Sequence, residues 1–312
     1  NWYDSIGDNV AVIDGYTNTK ITIATGSKPR GLAVNTVTNK IYVANSGSGT
    51  VTIIDGVTNG KTTITAGSSP YYVAVNPATN NIYVANSGSN NVTVINGATN
   101  STATVSTGTE PYFIAVNPVT NKIYVTNYSS NNVSVIDGVT NATTTVAAGT
   151  NPYTVAVNPV TNKIYVANWS SANVTVIDGA TNNKTTVATR TQPGSLVVNP
   201  VNNKVYVTNL GSDSLTVIDG ATNSTTTLAT GDGPTAVVVN PVTGRIYVTN
   251  QSSNNVTVID DVLKSDTQVW AVIDTLPGNV TYQTQPVLTG KGINRWLPNR
   301  TNMMGALNDW MT

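Results

Sequence analysis

Short apolar runs rich in Val, Ile and Tyr alternate along the chain with clusters of Asn, Gly, Pro, Asp and Thr. β-branched and aromatic residues suit strands, and Gly, Pro, Asn and Asp suit turns, so the alternation predicts strands joined by tight turns throughout. Four extended runs follow one another at 72–76, 81–86, 91–96 and 102–106, each bounded by turn residues. Runs such as Ile41, Tyr42, Val43 and Ala44 are apolar on both sides of the pleat, which predicts strands covered on both faces.

The pattern is periodic. Tyr-Val-Ala/Thr-Asn begins at Tyr42, Tyr83, Tyr124, Tyr165, Tyr206 and Tyr247, always 41 residues apart. In the same register Ile-Asp-Gly or a variant places its polar residue at Asp14, Asp55, Asn96, Asp137, Asp178, Asp219 and Asp260, and proline recurs at Pro29, Pro70, Pro111, Pro152, Pro193 and Pro234. Four short strands in roughly 40 to 45 residues is the period of a propeller blade. The sequence thus predicts an all-β fold, a β-propeller of four-stranded blades, with seven blades formed from six complete repeats and a partial N-terminal one.

Tyr-Val-Thr-Asn, preceded by Asn-Pro-Val-Thr-Asn-Lys and followed by Asn-Val-Thr-Val-Ile-Asp-Gly, resembles the YVTN β-propeller repeat family. The resemblance spans residues 1–274 and implies surface-layer-type or other exported proteins of archaea and bacteria. It leaves a tail, 275–312, in which 280–283 and 286–290 read as strands. That tail either completes the first blade or opens an immunoglobulin-like domain.

Composition narrows the chemistry. The formal net charge is zero, which removes the field that binding to nucleic acid or anionic membrane normally needs. No apolar run approaches the roughly 18 residues of a membrane span. The chain has no Cys and no His, so disulfides, thiolate nucleophiles and imidazole bases or ligands are excluded. No cofactor and no metal are expected. Glu110 is the only glutamate; it could gather with Asp213 and Asp232 to hold Ca²⁺, but the three come from separated blades.

The repeats differ from one another mainly on one face. The turns at 117–122, 158–163, 178–182 and 219–223 are nearly uniform. Lys40, Lys122, Lys163, Lys204 and Arg245 share a repeat position there, and a hairpin pairing Tyr42 with Ile53 sets Lys40 opposite Asp55, Lys122 opposite Asp137 and Lys163 opposite Asp178, so the charges cancel. The blade-to-blade loops and hairpins of the opposite face carry Arg30, Tyr71, Glu110, Tyr112, Tyr128, Tyr153, Trp169, Arg190 and Asp232, the candidate ligand-binding residues. Exposed aromatics supply contact area at low entropy cost, although Tyr71, Tyr112 and Tyr153 can equally be read as plugs between blades. Asn-x-Ser/Thr sequons recur at Asn91, Asn132, Asn173 and Asn255, as glycan acceptors or as a by-product of Asn- and Thr-rich repeats.

From these readings the sequence points to a non-catalytic secreted or cell-surface binding or scaffold protein in an extracellular or envelope location. Its expected partners are surface proteins, glycans or peptides, with self-assembly possible in such a repeat. A periplasmic binding module for nucleic acid or peptides is the alternative, and an enzyme of lactonase or quinoprotein-dehydrogenase type ranks below both.

Overall fold

The computed structural model describes residues 7–260 of a chain that divides into two compact units, Asn1–Ile259 and Asp260–Thr312. The described residues form seven antiparallel sheets and no α-helix. Five sheets have four strands each, at 29–65, 70–106, 111–147, 152–188 and 193–229, here blades 1 to 5. Blade 6, 234–260, shows three strands, and Asn9–Ile13 pairs with Lys20–Ala24 in a two-stranded sheet ahead of blade 1. The expected seven-bladed β-propeller of meandering four-stranded blades is therefore the fold. The boundary at 274 and the strands expected at 280–283 and 286–290 lie outside the described residues.

Burial explains the Tyr-Val-Ala/Thr-Asn run. Tyr42, Tyr83, Tyr124, Tyr165 and Tyr206 are fully buried in the second strands of their blades. Each core cluster joins two neighbouring blades: Tyr83, Val92 and Val94 of blade 2 pack with Ile114, Ile123 and Val125 of blade 3, and Tyr165 and Val174 of blade 4 with Leu196 and Val205 of blade 5. Both faces of a blade are covered in this way, so its strands read as apolar on both sides of the pleat. The closing Asn is buried as well, and its amide donates to the third strand: Asn86 to Thr93 Oγ1 at 2.9 Å, Asn127 to Ser134 Oγ at 2.9 Å, Asn168 to Thr175 Oγ1 at 2.9 Å. Asn91, Asn132 and Asn173 accept from the same amides and donate to the hairpin backbone, so these sequon asparagines are part of the hairpin.

On the uniform face, Asp55, Asp137, Asp178 and Asp219 accept hydrogen bonds from backbone N–H groups two and three residues on, as in Val57 at 2.9 Å and Thr58 at 2.8 Å. These bonds hold the carboxyls below the usual carboxylate range. Asn39, Asn80, Asn121, Asn162 and Asn203 take left-handed backbone conformations there, which Asn tolerates better than most residues. Gly138 has a steric reason: a Cβ would lie 2.6 Å from the Asn121 carbonyl oxygen. Lys40, Lys122 and Lys163 do stand opposite Asp55, Asp137 and Asp178. Their ammonium groups, however, donate onward to the next blade's turn, at the carbonyls of Gly97 (3.2 Å), Gly179 (2.8 Å) and Gly220 (2.6 Å). Asn35 reaches Asn80, Asn76 reaches Asn121 and Asn117 reaches Asn162 in the same direction, so side chains link each blade to the next.

Candidate functional site

The first strands of successive blades, Pro29–Asn35, Pro70–Asn76, Pro111–Asn117, Pro152–Asn158, Pro193–Asn199 and Pro234–Asn240, pack side by side. Their N-terminal ends form one rim of the channel. Each strand opens on a register irregularity, as between Pro111 and Ile114; such bulges re-aim side chains. The first strand of each blade was expected to begin near residue 72 in blade 2, and it begins two residues earlier because Pro70 still pairs, with Asn86, across this bulge. The residue before the proline has a positive φ at Lys28, Ser69, Glu110, Asn151 and Gln192. The Glu110 N–H is held by Asn90 Oδ1 at 2.9 Å, and Lys28 and Asn151 are held in the same way by Asp8 and Asn131.

At the two positions after the proline the blades diverge. Blade 1 carries Arg30 and Gly31, blade 2 Tyr71 and Tyr72, blade 3 Tyr112 and Phe113, blade 4 Tyr153 and Thr154, blade 5 Gly194 and Ser195, and blade 6 Thr235 and Ala236. Bulk is thus concentrated on blades 2 to 4 and faces small residues on blades 5 and 6. Gly31 permits the close approach of blade 2, because a Cβ there would lie 2.7 Å from the Tyr71 carbonyl oxygen.

The large residues form one continuous array. Tyr71 and Tyr112 have ring centroids 4.4 Å apart, Tyr112 stacks on Tyr128 at 5.2 Å, Tyr112 and Tyr153 lie at 5.8 Å, and Tyr153 and Trp169 at 5.7 Å. Tyr72 and Phe113, at 4.7 Å, lie beneath, with Phe113 also against Tyr153 at 5.1 Å. Tyr153 of blade 4 shares a side-chain hydrogen bond with Tyr71 of blade 2, across the intervening blade. Burial raises the Tyr153 and Tyr112 phenols above their ordinary value, so both stay neutral across the physiological range. The array is half-buried, closing the gaps between blades while leaving part of each ring open.

Charge enters at two points. The Arg30 guanidinium carbon sits 5.3 Å from the Tyr71 ring centroid, in cation–π geometry. Half-buried Glu110, beside Tyr112, accepts a short hydrogen bond from Ser129 Oγ. Both charges act on the Tyr112 phenol, Glu110 raising and Arg30 lowering its pKa beneath the larger effect of burial. Seven of the nine candidate residues are therefore brought together: Arg30, Tyr71, Glu110, Tyr112, Tyr128, Tyr153 and Trp169. Arg190 and Asp232 lie exposed on later blade-to-blade loops, and no ring contact among the described residues joins them to the array. Among the described residues no three acidic, His or Cys side chains gather as a metal site, so Glu110, Asp213 and Asp232 stay apart.

Three further participants escaped the sequence reading. Phe113 and Ser129 neighbour candidates but carry no repeat-level signal of their own. Thr126 is fully buried; its hydroxyl accepts from the Phe113 N–H at 3.0 Å and donates to the Tyr153 carbonyl at 2.8 Å, tying blade 3 to blade 4 beneath the rings. Its signal was the choice of Thr over Ala in Tyr-Val-Ala/Thr-Asn.

A family model described as lactonase, seven-bladed β-propeller, matches residues 97–286, well over half of the chain. The chain belongs to that family. Comparison with curated protein sequences gives no match. Among solved structures, hydrazine synthase of Kuenenia stuttgartiensis aligns over 83% of this chain and 91% of its own, at TM-score 0.65 and 21% identity. A functionally unknown protein of Desulfotomaculum acetoxidans aligns over the same shares at TM-score 0.65 and 16% identity. Dihydro-heme d1 dehydrogenase NirN, solved in complex with DHE, aligns over 82% of this chain and 60% of its own at TM-score 0.71 and 13% identity. These likenesses show the propeller fold.

The family match overturns the expectation of a non-catalytic binding or scaffold protein, and with it the low rank given to an enzyme. That expectation rested on the uniform, uncharged repeat, the missing His and Cys and the aromatic variable face. It overlooked that the rim of the channel gathers a carboxylate, a hydroxyl, a guanidinium and several phenols on one side.

Proposed function

We propose that this chain is a propeller enzyme that opens a lactone at the aromatic rim of its channel. The observation that carries the reading is a guanidinium and a carboxylate at one aromatic cluster: Arg30 sits 5.3 Å from the Tyr71 ring centroid, Tyr71 lies 4.4 Å from Tyr112, and Glu110, two residues before Tyr112, accepts from Ser129 Oγ. The substrate ring lies against the Tyr112, Tyr153 and Trp169 wall. The Glu110 carboxylate takes a proton from water as the water oxygen attacks the carbonyl carbon, with Ser129 orienting Glu110. The carbonyl electrons move onto oxygen, beside the Arg30 guanidinium. When the intermediate collapses, the ring C–O bond breaks and the departing alkoxide recovers the proton from Glu110, giving a hydroxy acid.

The test is pH-stat hydrolysis of a panel of aliphatic, aryl and sugar γ- and δ-lactones. Glu110→Gln should lower kcat by about 10²- to 10⁴-fold, Arg30→Met by about 10²-fold, and Lys184→Ala, on an outer strand, not at all. Failure to open any lactone, or full activity in Glu110→Gln and Arg30→Met, overturns the reading. The Tyr-Val-Ala/Thr-Asn repeat supports placing the enzyme in the YVTN-type branch of these propellers, and an envelope or extracellular location goes with that placement. Fractionation of the source cells tests the location.

A further inference from the structure

The uniform face is apolar at its turn tips. In the turns joining first and second strands, Val37, Ala78, Val119, Val160, Val201 and Val242 occupy one repeat position, and the five valines are 69% to 92% exposed. In the turns joining third and fourth strands, Tyr16, Val57, Ala98, Val139, Ala180 and Ala221 occupy the equivalent position, all exposed, with Tyr16 at 96%.

The turn itself does not ask for these side chains. At each tip the structural bond is made by the backbone N–H, which donates to the Asn or Asp two residues earlier, as Val119 does to Asn117 at 3.0 Å and Val139 to Asp137 at 2.9 Å. Any residue with an N–H makes that bond, and exposed turns ordinarily favour polar residues. Single exposed apolar residues are unremarkable, but here twelve equivalent tips hold Val, Ala or Tyr and none is polar or charged.

We infer that this face is the contact surface between two copies of the chain, stacked face to face about a two-fold axis. The tips follow the blade repeat, so a second copy is the partner whose tips share their spacing and can meet them together. Charge does not oppose it: on this face Lys40, Lys122, Lys163 and Lys204 stand opposite Asp55, Asp137, Asp178 and Asp219, so these four hairpins are neutral and self-complementary, as an isologous contact requires, while Asp14 and Asp260 offset Lys20, Lys61, Lys184 and Arg245 in part. The aromatic rim lies at the opposite end of the first strands, so pairing leaves the proposed active site open.

Sedimentation velocity of the full chain over a concentration series should show a monomer–dimer equilibrium. Val119→Lys, Val160→Lys and Val201→Lys combined set like charges against one another across the two-fold and should raise the dissociation constant at least about tenfold. The corresponding triple threonine variant keeps the branched shape and the turn bond; it should weaken the dimer less, and it serves if the lysine variant misfolds. Tyr112→Ala, on the other face, should dimerise as the wild type does. A wild type that stays monomeric throughout, a dimer indifferent to both triple variants, or a monomer that floats with neutral phosphatidylcholine vesicles would each overturn the inference.

Discussion

Replacing Thr126 by Val tests whether the aromatic rim is held by the blade beneath it. Val fills the same volume without the hydroxyl, so no cavity confounds the result. The change strips the part-buried Phe113 N–H of its acceptor at 3.0 Å and the Tyr153 carbonyl of its donor at 2.8 Å. An internal control exists in blade 5, where fully buried Thr208 accepts from the Ser195 N–H at 3.0 Å but donates to the Ser195 carbonyl of its own blade. An unpaired buried donor costs about 1–3 kcal/mol. Both variants lose one accepted and one donated bond and should fall in that range, but only Thr126→Val cuts a link to the next blade. Urea unfolding with unchanged m reads the stability difference. Near-UV circular dichroism reads ring order: Thr126→Val should alter the tyrosine band and raise KM for the lactone substrate, whereas Thr208→Val should do neither. If the two variants match in spectrum and KM, the link from Thr126 to Tyr153 does not position the rim and the reasoning fails.

Two further outcomes follow from the repeat. The turn carboxyls of Asp55, Asp137 and Asp178 titrate below their ordinary value because backbone N–H groups bond to the charged form. Their contribution is complete above the unfolded value of about 3.9 and is lost as pH falls through the lower folded value; the urea midpoint should be flat from about pH 5 to 8 and drop below about pH 4, and Asn in place of all three aspartates should flatten that drop. Asn127→Ala removes a buried amide that donates to Asn132 Oδ1 at 2.7 Å and Ser134 Oγ at 2.9 Å, and should cost about 2–3 kcal/mol in the same urea assay.

The blades were legible because the repeat states its own geometry many times over. Burial between neighbouring blades demands an apolar second strand on both sides of the pleat, and six copies of Tyr-Val-Ala/Thr-Asn display one. The hairpin register was legible too, since Tyr42 opposite Ile53 places Lys40 opposite Asp55, as found. Bonds reaching a neighbouring blade were not: the Lys122 ammonium spans 57 residues to Gly179, and nothing in the hairpin alone signals that the lysine acts outside it. The rim was legible as a set of positions that vary between copies. Its order was hidden because ring contacts such as Tyr71 with Tyr112 join first-strand positions of neighbouring blades, and only the packed blades bring the two together.

The chemistry was misread for a physical reason. A chain without His or Cys loses imidazole and thiolate chemistry, but ester opening needs only a base for water, a positive group for the developing oxyanion and a surface for the ring. Carboxylate, guanidinium and phenol meet those needs when burial and neighbours place them, and placement is a property of the folded rim. The repeat makes such placement possible. Asn–Asn and Lys–carbonyl links between blades hold five successive first strands in fixed relation, so a change at the two positions after each proline alters the rim without altering the scaffold. A uniform repeat is therefore no sign of an inert protein: the uniformity frees those rim positions to differ.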